Sequence, residues 1–161
     1  MRLGAQGPAV PALGFLGFAP GQPLRTADSV ARALGGTLRC RAAARDRRVH
    51  DCRAALREPG SEEALALWIS AIDSGAAVVS VRGTPSPERI ARWRAELVAR
   101  LGPASPARQH EQSMQQWIRG TRMLRLTWRT RAPDPGVAVS LVDGARLDAW
   151  TPPPQPSSRT R

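Results

Sequence analysis

Apolar residues recur along this chain with two periods, and each period marks a different kind of element. Leu24, Ala27, Val30, Ala31 and Leu34 fall at helical spacing and predict a helix of about ten residues. Pro23 suits its first turn, where a missing N–H costs nothing, and Gly35-Gly36 suits the left-handed conformation that stops a helix. A second helix is signalled more fully. Ser86 is a good N-cap, Pro87 fits the first helical position, and Glu88 complements the positive end of the helix. Ile90, Trp93, Leu97 and Leu101 form its apolar stripe, Glu88 with Arg92 and Glu96 with Arg100 are spaced for ion pairs, and Gly102-Pro103 ends it.

The other period is two, the mark of a sheet with one buried face. Leu65, Leu67 and Ile69 alternate with Ala66, Trp68 and Ser70 in a strand over 65–72. The turn Asp73-Ser74-Gly75 joins it to a strand over 76–81. Farther on, Met123, Arg125, Thr127 and Arg129 alternate with Leu124, Leu126, Trp128 and Thr130; the turn Pro133-Asp134-Pro135-Gly136 leads to a strand over 137–142. Residues 37–42 and 49–54 predict two more strands, and residues 14–18 a short first one. Residues 114–119 fit helix or strand, and Leu147, Asp148 and Trp150 suit a closing turn of helix. Residues 1–12 read as a flexible leader, 103–112 as a linker, and 151–161 as a disordered Pro-rich tail.

The order helix then strands occurs twice. The expected fold is therefore α+β: an antiparallel meander sheet with two helices packed on one face, in one domain over 13–150 built from tandem half-repeats at 13–83 and 84–150. A family resemblance accompanies this pattern. Pro20-Gly21, Ala27-Asp28, Val30 and Ala33-Leu34-Gly35-Gly36 resemble the G-x-(S/T)-x-x-E-V-x-x-x-L-G helix of small bacterial envelope proteins, with Pro23 at the usual Ser/Thr position and Asp28-Ser29 where Glu is usual. The SmpA/OmlA outer-membrane-assembly lipoproteins carry this helix, as do tandem-repeat proteins related to the β-lactamase inhibitory protein. The resemblance implies a helix leading into antiparallel strands, an envelope location and a binding role.

Charge changes the picture of partners rather than of fold. The 24 basic residues outweigh 13 acidic ones for a net charge of +11, and all the basic residues are Arg. Lys, Asn and Tyr are absent, which a GC-rich genome would explain, although codon bias does not account for the excess of positive charge. Such a field favours an anionic envelope component, an acidic protein or nucleic acid; a merely solvated basic surface is the alternative. No run approaches the length of a membrane span, and the apolar stretch 10–19 is too broken by Pro11, Gly14 and Gly17 to serve as a signal peptide, so an export signal is expected from an upstream start.

Candidate chemistry is sparse. In a symmetric hairpin Cys40 lies opposite Cys52, close enough for a disulfide and so for an oxidising compartment. Two reduced thiols, or a metal site completed by His50, are the alternatives. His110 beside Glu111 offers a general base with no nucleophile placed by motif, and no G-x-S-x-G, phosphate-binding loop or H-E-x-x-H occurs. No enzyme and no cofactor are expected. Trp68 and Trp128 hold related places in the two similar hairpins, and with Arg125 and Arg129 they are the candidate binding surface; a core or self-stacked role for the tryptophans is the alternative. The expected function is an exported or periplasmic protein that binds another protein or an anionic envelope component, with an Arg-rich nucleic-acid-binding protein as the second reading.

Overall fold

The computed structural model describes residues 12–109 and 112–150. The elements run α1 (Leu24–Ala33), β1 (Arg39–Ala42), β2 (Val49–Arg57), β3 (Ala64–Ile72), β4 (Gly75–Gly83), α2 (Pro87–Leu101), β5 (Ser105–Gln109), β6 (Gln112–Arg119), β7 (Arg122–Arg129), β8 (Gly136–Asp143) and α3 (Gly144–Ala149). All eight strands join one antiparallel sheet in the order β1-β2-β3-β4-β8-β7-β6-β5. Each half is a helix followed by a four-stranded meander. After β4 the chain passes through α2, starts the second meander at the far edge, and works back to the middle, where β8 pairs with β4 and Ser80 stands opposite Ser140.

The protein is thus α+β with antiparallel meanders, and side-chain alternation divides the sheet into two faces. One row of paired residues runs Cys52, Ile69, Val79, Leu141, Leu124, Trp117; the next runs Ala54, Leu67, Val81, Val139, Leu126. Every member of both rows except the partly buried Ala54 is buried. The same buried cluster takes in Ala27 and Ala31 from α1 and Ile90, Trp93, Leu97 and Leu101 from α2. Phe15 meets Trp93 edge-on, with ring centroids 4.9 Å apart.

Several local expectations need correction. Residues 14–18 make a tight turn rather than a strand: Phe15 and Phe18 exchange backbone hydrogen bonds across Leu16 and Gly17, both at positive φ. The expected linker at 103–112 contains β5, an edge strand that lacks apolar alternation because it lies far from the core centre, and Pro106 is tolerated at such an edge. Residues 114–119 are strand, within β6. In α2, Arg92 bonds Glu58 and Arg100 bonds the Gly14 carbonyl rather than the glutamates one turn away. The Pro-rich tail, the leader up to residue 11, His110 and Glu111 lie outside the described residues.

A buried ionic cluster fastens α2 to the first meander. Glu58, just past β2, is 4% exposed and Arg89 is 2% exposed. Arg89 donates to Glu58 Oε2 from Nε at 3.0 Å and from Nη2 at 2.9 Å; Arg92 and the Trp93 indole N–H bond Oε1 at 2.5 and 2.8 Å. Arg89 also reaches Glu63 and Thr84. Burial pushes the Glu58 carboxyl up, but donation from Arg92, Trp93 and Arg89 outweighs it and holds the group below its ordinary 4.5. Glu58 therefore contributes stability in full above its unfolded value, and that contribution is lost as pH falls through the lower folded value. Urea titrations of the parent should show this acid-side loss, and Glu58→Gln should remove it. Glu58→Ala, which leaves Arg89 buried without its main partner, should cost about 3 kcal/mol.

Candidate binding surface

The sheet face opposite the core carries seven arginines. Its central row reads Arg39, Arg53, Trp68, Ser80, Ser140, Arg125, Gln116, Ser105 from edge to edge. The same parity places Arg41 of β1, Arg57 of β2, Arg82 of β4 and Arg129 of β7 on this face. Among the described strand residues, Asp51 is its one carboxylate. Asp51 accepts the Trp68 indole N–H and lies 3.6 Å from Arg53, while Arg82 pairs with Asp134 of the β7–β8 loop at 2.8 Å. Among the described residues Arg39, Arg41, Arg57, Arg125 and Arg129 have no carboxylate partner.

Of the four residues expected to form the binding surface, three share this face. Trp68 is 36% exposed; Arg125 and Arg129 are half-buried along β7. Trp128 is not with them. It has the parity of Leu124 and Leu126, packs against the core, and lies under the Arg94 guanidinium of α2 at 5.0 Å. The hairpin likeness misplaces it by an odd number of residues, and in a strand an odd offset changes the face. About the Ser80–Ser140 pair, the residue equivalent to Trp68 is Arg125.

Sequence reasoning missed Arg39, Arg53 and Arg82. The signal was present, since alternation from Trp68 through its strand neighbours names Arg53 and then Arg39, but it needs the register to be read. These residues border an open depression of about 1050 Å³ over β2, β3 and β4, with Trp68 and the small residues Ala55, Ala64 and Ala66 in its lining.

Cys40 and Cys52 are directly opposed, with Cα atoms 4.0 Å apart, and are joined by a disulfide. Both sulfurs are thereby committed, so neither is a thiolate ligand, and His50 stands half-buried on β2 without them. The bond matters to the outer face because β1 has only four residues, all exposed, and places no side chain in the core. The crosslink fixes the strand that carries Arg39 and Arg41. Among the described residues no group of His, Cys, Asp and Glu could hold a metal, and no helix is long and apolar enough to cross a membrane.

Compared with family models, curated proteins and solved structures, the chain matches none. Reducing the disulfide, or replacing Cys40 by Ser, should lower stability by roughly 2–3 kcal/mol in urea titrations, and amide exchange should rise first along β1.

Proposed function

We propose that this protein is a non-enzymatic exported or periplasmic binding protein that engages an acidic protein partner across the outer face of its sheet. The observation that carries this reading is the composition of that face: arginines on β1, β2, β4 and β7 against a single strand carboxylate among the described residues. A positive face of this kind steers and aligns an acidic surface. Eight strands at about 4.8 Å spacing give a width of roughly 34 Å, and strands of about eight residues give a length of roughly 25 Å. The resulting area is close to the ~800 Å² that one partner contributes to a standard interface. The disulfide hints at an oxidising compartment, which supports export.

Nucleic acid is the second reading, favoured by the arginines and the exposed Trp68. One observation weighs against it: Trp128, the expected second stacking platform, lies on the core side.

Calorimetry with polyglutamate as a model acidic polypeptide and single-stranded poly(dT) as competitor tests the reading. Polyglutamate should bind at least ~10-fold tighter than poly(dT), and the double variant Arg53→Glu/Arg125→Glu should weaken it by at least ~10-fold. Arg45→Glu, in the β1–β2 turn, should leave binding unchanged. Tighter binding of poly(dT), with a steep salt slope, would transfer the proposal to nucleic acid.

A further inference from the structure

The two meanders are related through Ser80 and Ser140, so each position on the outer face of one half has a counterpart in the other. The counterparts differ in bulk. Ala55, Ala66 and Arg82 form one cross-strand row in the first half; Ile118, Met123 and Val142 form the equivalent row in the second. Small side chains leave the first half hollow, and the depression of about 1050 Å³ lies there. Large ones fill the second half, where Ile118 stands 56% exposed.

The hollow has a defined chemistry. Its floor is alanine methyls and its exposed lining is mostly apolar, with Trp68 beside it. The indole cannot swing freely, because its N–H is held by Asp51. Arg39 and Arg53 flank one side; on the other, Arg82 is paired with Asp134, which also lines the hollow. An occupant needs an apolar group to cover the alanines and the indole, with negative charge on the Arg39 and Arg53 side of it. Neither terminal stretch of this chain supplies that, since residues 1–11 and 151–161 contain no Asp or Glu.

We infer that the hollow between Arg39, Arg53 and Arg82 is an anchor pocket that takes a large apolar side chain of an acidic protein segment, with carboxylates beside that side chain pairing with Arg39 and Arg53. This rests on the acidic-partner reading above and adds to it where on the face the specificity lies. The arginines of the second half, Arg125 and Arg129, supply attraction without a pocket. Burying one apolar side chain against the indole and the alanines strengthens binding by about tenfold or more over charge alone.

The test uses the intact protein and two synthetic peptides: glutamates flanking a single central phenylalanine, and the same peptide with alanine at the centre. Calorimetry should give at least ~10-fold tighter binding for the phenylalanine peptide. In nitrogen–proton correlation spectra that peptide should shift the Trp68 indole N–H, assigned with Trp68→Phe, and the backbone amides of Ala55 and Ala66. Ala66→Leu, which restores second-half bulk at an exposed strand position, should erase the preference and leave the alanine peptide's affinity unchanged. The indole shift in the unaltered protein is read independently of whether Ala66→Leu folds. Equal binding of both peptides, or shifts confined to β7, would overturn the pocket while leaving the acidic-partner reading standing. Failure of both peptides to bind at millimolar concentration would overturn the pocket and the acidic-partner reading alike. A phenylalanine peptide displaced from the pocket by vesicles of anionic lipid, at lipid concentrations where poly(dT) does nothing, would replace the protein segment with a membrane as occupant.

Discussion

The pairing of β4 with β8 is the constraint from which the rest of this structure follows. It turns two four-stranded meanders into one sheet, and it sets their relative register through Ser80 and Ser140. Val79, Val81, Val139 and Leu141 at this seam are fully buried, so the core itself enforces the register. A one-residue slip there would turn the second meander over. Leu124 and Leu126 would face outward and Arg125 would enter the core, at the cost of an unpaired buried charge. The placing of seven arginines on one face is thus a consequence of a hydrophobic choice made in the middle of the sheet.

Much of this was legible in the sequence because β3, β4, β7 and β8 alternate cleanly, and α2 has a cap, a proline start and a glycine stop. The cap is as expected, with the Ser86 hydroxyl accepting from the Arg89 N–H. What escaped reading has physical causes. β5 and the short β1 are edge strands of five and four residues, too short to carry a period-two signal. The turn at Leu16 and Gly17 imitates a strand because Phe15 and Phe18, three apart, both point into the core. The Glu58 cluster was hidden because a buried ion pair between residues 31 apart leaves no local pattern. Of the candidate surface, Trp68, Arg125 and Arg129 share one face by parity, and parity sends Trp128 to the other face although the two hairpins look alike.

The halves share a plan and diverge in how they use it. α1 buries only Ala27 and Ala31, while α2 buries Trp93, Leu97 and Leu101 together with a charged residue. Of the two helices α2 thus supplies more of the core, although most of the buried hydrophobic residues belong to the first half. On the outer face the first half carries the exposed indole and the hollow, and the second presents Ile118 and Met123.

The Glu58–Arg89 contact joins the two halves, since the carboxylate belongs to the first meander and the guanidinium to the helix that opens the second. Cutting the chain between β4 and α2 would separate this ion pair and expose the flanks of two central strands. Although the architecture looks modular, it is a single cooperative unit, and a fragment corresponding to either half is not a miniature of the whole.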